Sequence, residues 1–305
     1  MFVGFDTSNY TTSAATFCNS EIKQAKKILT VKNGQRGLRQ SDAVFQHIVN
    51  MPELLNKLQF DDLKAVAVST KPRNVEGSYM PCFLAGRNVA YAVAKTNNIP
   101  LYETSHQVGH ILAALYSCNK LDFINDKFIA FHLSGGTTEA LMVTPDTDEI
   151  IKARLIAQST DLKAGQAKDR TGVMLNMTFP CGKELDDLSH KSDIVYNHKL
   201  SIKGLDCSLS GVENKVKNMI AQGNPNEDIA NFVLSYITQT IDAMTYGIIN
   251  TYGDLPVVFS GGVSSNSMLR KTITNKYNAY FAAPEFSLDN AAGVAIYASL
   301  KSKEL

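Results

Sequence analysis

Two histidines four residues apart, His106 and His110, and a distant aspartate, Asp289, are the side chains in this sequence best suited to hold a metal. On a helix the two rings fall on one face about a turn apart, so both can reach a common point. Imidazole ligates zinc, iron and their neighbours, and one carboxylate completes a set that leaves a coordination position open. Taken alone, H-x-x-x-H is better explained as a helix cap beside a packed ring, and Asp289 as an ordinary capping aspartate. Further chemistry is offered by three Gly/Ser/Thr turns that follow apolar runs, at residues 6–12, 134–138 and 260–266. Backbone N–H groups in such turns, with hydroxyls beside them, hold phosphate oxygens. No G-x-x-x-x-G-K-[ST] motif is present, which excludes a Walker-type site.

Strands and helices must carry these residues. Residues 2–5 read as a strand, 6–12 as a polar turn and 13–17 as a returning strand. Residues 33–37 read as an exposed loop, and 41–58 have helical spacing interrupted near Pro52. A strand at 65–69, a helix at 83–94 and a strand at 99–103 then deliver the chain to His106. The same order returns later: a strand at 128–133, a glycine turn, a strand at 139–143, then strands at 256–260 and 279–282. Asp289 follows at the head of an apolar helix, where the first half places His106. This pattern predicts a duplicated α/β fold with largely parallel sheets and ligands at the carboxyl ends of strands. The first half spans 1–120; the second spans 121–305, with a mostly helical insert at about 159–254. If the halves face each other, equivalent loops bring His106 and His110 from one half to Asp289 from the other.

The bulk composition narrows the class. The chain has 305 residues, 44% of them hydrophobic and 19% charged, as in an ordinary soluble globular protein. A net charge of +1 supplies no general attraction to polyanions, so a nucleic acid needs a local patch or a helper. Cys18, Cys82, Cys118, Cys181 and Cys207 are scattered without a C-x-x-C pair, which fits a reducing cytosol. No secretory leader and no apolar run long enough for a membrane span are evident. The expectation is a cytoplasmic protein with no membrane partner.

In this order the motifs resemble the tRNA N6-adenosine threonylcarbamoyltransferase family, formerly called O-sialoglycoprotein endopeptidase. The segment 106–110 is similar to its H-x-x-G-H motif, 288–291 to its D-N segment and 133–137 to V-S-G-G-H-T. Likewise 260–266 is similar to x-G-G-V-x-x-N, 167–170 to an F-D-K segment, 180–182 to P-G-G and 209–212 to F-S-G-L. The resemblance implies the duplicated actin/Hsp70/sugar-kinase-like fold, two lobes around a nucleotide cleft. It implies transfer of a threonylcarbamoyl group from threonylcarbamoyl-AMP to N6 of the adenosine beside the tRNA anticodon. One divalent metal per chain, iron(II) or zinc, is implied at His106, His110 and Asp289. His132 is a further candidate ligand, or a strand histidine satisfied by packing. The adenylate, or another adenine nucleotide, is implied at Leu133, Ser134, Gly135, Gly136, Thr137, Asp169, Gly182, Asp186 and Asn266. Asp186 alone would read as a solvated position on a charged helix. tRNA and the protein partners of a tRNA-modification complex are the implied partners.

The sequence also departs from the family pattern. The first loop, E-T-S-C-D-[DE]-T in the family, is Asp6-Thr7-Ser8-Asn9-Tyr10-Thr11-Thr12 here. Tyr10 therefore stands where the family has the acidic residue associated with transfer, and Thr11 at its acidic neighbour. Thr137 replaces a histidine. A phenol with a pKa of about 10 is no substitute for a carboxylate base. A second reading follows, a non-catalytic nucleotide-binding paralogue that regulates or pairs with an active relative. A metallopeptidase is the weakest reading, because the zincin motif H-E-x-x-H needs a glutamate base and Gln107 occupies that place.

Overall fold

The computed structural model describes residues 1–8, 10–31 and 38–303; the loop expected at 33–37 lies outside the described residues. The chain begins with β1 (Phe2–Ser8), β2 (Thr11–Cys18), β3 (Glu21–Ile28), α1 (Gln40–Leu55), β4 (Ala65–Lys71), α2 (Phe83–Asn97), β5 (Leu101–Ser105) and α3 (His106–Ser117). It continues through β6 (Phe128–Leu133), β7 (Thr138–Asp146), β8 (Ile150–Gln158), α4 (Ala164–Met174), α5 (Gly182–Ser189), β9 (Ile202–Lys203) and β10 (Asp206–Cys207). The remainder is α6 (Ser210–Ala221), α7 (Asn226–Tyr252), β11 (Val257–Ser260), α8 (Ser267–Thr274), β12 (Ala279–Phe281), α9 (Pro284–Ser287) and α10 (Ala292–Lys301).

The duplication expected from element order is present in the sheets. One sheet runs β3-β2-β1-β4-β5, and the other, read in the matching direction, β8-β7-β6-β11-β12. In each, the first strand pairs antiparallel with the second and parallel with the fourth, which pairs parallel with the fifth. β1 is buried at every position, as the near-continuous apolar run of a strand covered on both faces requires. β3 is the polar exception, EIKQAKKI, whose exposed Lys23, Lys26 and Lys27 discourage edge-to-edge pairing. α1 is not broken at Pro52. The proline sits in the last turn, where it removes a single helical hydrogen bond, and the helix runs on to Leu55.

Two compact units emerge, and they do not divide at residue 120. One comprises 1–126, 144–153 and 285–305; the other comprises 127–143 and 154–284. The last helix belongs to the first unit because α10 is apolar almost all round and packs on β1 and α3. Its backbone comes so close that a Cβ on Gly4 would lie 2.3 Å from the Ala295 amide, and one on Gly293 1.8 Å from the Gly109 carbonyl. In the second unit, cross-strand neighbours Phe131, Phe259 and Phe281 stack with ring centroids 4.8 Å apart at both steps. α7 lays Ile229, Val233, Ile237, Ile241, Met244 and Ile248 into that core at helical spacing. Each such burial stabilises the fold by about 1.5–3 kcal/mol.

Candidate metal centre

The centre starts where β5 ends. Ser105 is the N-cap of α3, its Oγ accepting from the Val108 amide at 3.2 Å, which puts His106 at the first helical position. His110 follows one turn on, its ring edge-on to His106 with centroids 4.3 Å apart. Between them Gly109 lets α10 approach, so the loop before α10 lies over the two rings. Asn290 holds that loop, donating to the Phe286 and Leu288 carbonyls and accepting from the Ala292 amide. The N-cap position of α10 is Ala291, two residues past Asp289.

Three donor atoms result. The two Nε2 atoms are 3.0 Å apart; Asp289 Oδ1 lies 3.3 Å from His110 Nε2 and 3.6 Å from His106 Nε2. Zinc–nitrogen bonds of about 2.0–2.1 Å give a tetrahedron with edges of about 3.3 Å, so this triangle fits one face of it. Two imidazole nitrogens this close repel unless a proton or a cation lies between them. Among the described residues, this is the one group of three or more His, Cys, Asp or Glu placed to hold an ion. His106 and Asp289, assigned to opposed halves by element order, lie in the same unit.

Behind the donors stands a residue the sequence reading had placed only in a phosphate turn. Asp6, fully buried on β1, takes His106 Nδ1 at 2.8 Å and the Ser69 hydroxyl at 2.6 Å on Oδ2, and the Ser8 amide at 2.9 Å on Oδ1. Burial favours the neutral acid, but His106 and Ser69 hold the carboxyl below its usual range. Burial likewise disfavours the His106 cation, yet Asp6, with Asp289 behind it, lifts that imidazole to about 9. An ionised carboxylate only accepts, so His106 Nδ1 carries a proton, and in the neutral ring the lone pair is on Nε2, facing His110. One acidic residue directly after the apolar run at residues 2–5 was the available signal. On the other side, the Thr11 hydroxyl donates to Asp289 Oδ2 at 3.3 Å. Tyr10, beside it, is 41% exposed.

The remaining expected residues gather in the second unit. The glycine turn closes with Ser134 N bonded to the Thr137 carbonyl at 2.7 Å and Thr137 N to Ser134 Oγ at 3.1 Å, leaving Gly135 and Gly136 exposed. Leu133 is buried beneath it. α4 starts against the turn: Gly165 N bonds the Ser134 carbonyl, and a Cβ on Gly165 would lie 2.6 Å from Gly135 N. Farther along α4, Asp169 keeps a buried Oδ1 with no hydrogen-bond partner. Lys168 reaches Gly182, where a Cβ would come 2.5 Å from its Nζ. Asp186 is occupied within the fold, accepting from Asn266 Nδ2 at 2.7 Å and from the Ser267 amide and hydroxyl. His132 is in this unit, its Nδ1 3.2 Å from Ser260 Oγ, and is not a member of the donor group.

Two five-stranded α/β units that repeat one strand order have the duplicated fold of the actin and sugar-kinase class. Solved structures agree on the fold. The (R)-2-hydroxyglutaryl-CoA dehydratase component A of Acidaminococcus fermentans matches with a TM-score of 0.57 at 17% identity, over 99% of this chain and 98% of that one. A ROK-family glucokinase from Streptomyces griseus matches with a TM-score of 0.52 at 12% identity, over 98% of each chain. The chain belongs to the TsaD family, tRNA N6-adenosine threonylcarbamoyltransferase, whose profile matches residues 21–296. A relative of that name from Kosmotoga olearia is 29% identical over 278 residues, 86% of this chain and 80% of its own length.

Proposed function

We propose that the protein is a metal-dependent acyltransferase that moves a threonylcarbamoyl group from threonylcarbamoyl-AMP to N6 of the adenosine beside the tRNA anticodon. Membership of a family whose relatives are named for this activity on tRNA supports the reaction class. The observation that carries the metal part is the convergence of His106 Nε2, His110 Nε2 and Asp289 Oδ1 within hydrogen-bonding range of one another. Bound there, one iron(II) or zinc ion supplies a Lewis acid that polarises the carbamoyl carbonyl. Asp6 keeps His106 aimed at the site, while the exposed turn at Gly135 and Gly136, with Ser134, Thr137, Asp169, Gly182 and Asn266, receives the adenylate. Asp186 contributes by fixing Asn266 rather than through a vacant carboxylate. In the transfer, N6 forms a bond to the carbamoyl carbon, the bond from that carbon to the phosphate oxygen breaks, AMP leaves, and N6 loses a proton. Tyr10 and Thr11 offer no carboxylate for that proton.

The test is to incubate the purified protein, loaded with iron(II) or zinc, with the adenylate-forming enzyme and tRNA, and to digest the tRNA for mass spectrometry. Threonylcarbamoyladenosine is the expected product; none across metals and partner proteins overturns the reading. The first-loop changes support a second reading, a non-catalytic nucleotide-binding paralogue that regulates or pairs with an active relative. Tight adenylate binding without any product distinguishes it.

A further inference from the structure

We infer that the β1–β2 hairpin is the outer shell of the metal site, Asp6 setting the orientation and tautomer of His106 and Thr11 holding Asp289 to a single coordinating oxygen. The inference rests on the metal reading proposed above and adds two positioning residues to it. Asp6 is built for this task. Ser69 donates to Oδ2 and the Ser8 amide to Oδ1, so both carboxylate oxygens are held while Oδ2 also meets His106 Nδ1. With Nδ1–H committed to Asp6, Nε2 faces His110 and Asp289. Thr11 acts on the opposite ligand. Its hydroxyl donates to Asp289 Oδ2, while Oδ1 is the oxygen 3.3 Å from His110. An acidic side chain at position 11 would set a like charge against Asp289; a threonine complements it. The unusual residue at position 11 thus suits the ligand it touches, and metal-bound histidines in general rely on such a partner on their second nitrogen.

The experiment titrates zinc against a chromophoric chelator in the wild type and in D6N, T11V and T11S, with melting of the metal-free proteins as the folding control. D6N is expected to weaken zinc about 10–100-fold. T11V, which loses a hydrogen bond donated to the Asp289 carboxylate, is expected to weaken it about tenfold, and T11S to restore it. Independently of metal, nitrogen-resolved proton NMR of the metal-free protein is expected to show a hydrogen-bonded His106 Nδ1 proton that D6N removes. Folded D6N and T11V proteins that bind zinc within twofold of the wild type overturn the inference while the metal reading stands. A wild type that takes up neither zinc nor iron(II) defeats the metal reading. In that event the shell inference fails as a metal shell, whichever way the Nδ1 proton behaves.

Discussion

The turn between β1 and β2 and the turn between β6 and β7 occupy the same place in two copies of one topology, yet they are prepared for opposite charges. Behind the first, on β1, lies a buried carboxylate whose oxygens are both engaged, with an imidazole drawn onto it. The second has two exposed glycines, a serine hydroxyl turned onto its own backbone and the start of α4 against it. One suits the ligands of a cation; the other suits the oxygens of a phosphate. Duplication therefore supplies position, and a few side chains decide what the position attracts. The departures at Tyr10 and Thr11 bear on the cation side, and that at Thr137 on the phosphate side.

Substitutions that separate the two turns sharpen this contrast. The largest effect is expected from His110→Ala, which removes a ligand and should lower zinc or iron affinity by more than the roughly 100-fold that outer partners alone account for. Adenylate binding, followed by calorimetry, should be retained; an equal loss of both would break the division of labour. Gly293→Ala comes next. Its Cβ would meet the Gly109 carbonyl, and overpacking of this kind costs about 1–3 kcal/mol, occasionally more. A lower melting temperature together with weaker metal binding is expected, whereas Gly136→Ala, facing open space, should leave both unchanged.

In the second unit Gly261 has φ +92° and sits against the Leu133 carbonyl, so Gly261→Ala should cost about 1–3 kcal/mol and loosen the adenylate while sparing the metal. Metal loss in that variant would count against separate sites. The smallest effect is acid sensitivity, with one source in each unit. Burial holds His47 and His198 down to about 4. Their unfolded value is about 6.5, so the unfolded chain binds these protons first; the stability they allow is complete above that pH and declines as pH falls toward 4. Melts at pH 7 and pH 5 should show the decline, reduced in part by His47→Asn and in part by His198→Asn. Equal melting at both pH values would contradict it.

Much of this was legible in the sequence, for identifiable reasons. Strands buried on both faces advertise themselves as short apolar runs, and β1, β4, β6 and β11 did so. The helical spacing of His106 and His110 is a property of the backbone alone. β3 was passed over because an edge strand guarded by lysines has little apolar signal. The return of residues 285–303 to the first unit was hidden as well, since an all-round apolar helix such as α10 reveals that it is buried without revealing against what. Asp6 read as one more polar residue in a Ser/Thr turn; its partner, His106, is 100 residues away.

That separation also orders events during synthesis. Asp6 and His106 leave the ribosome early, but Asp289 follows His110 by 179 residues, after the whole of the second unit. Domains fold largely as they emerge. A nascent chain that has finished the second unit still lacks both that carboxylate and α10, so the His-His-Asp triangle closes only at the end of synthesis.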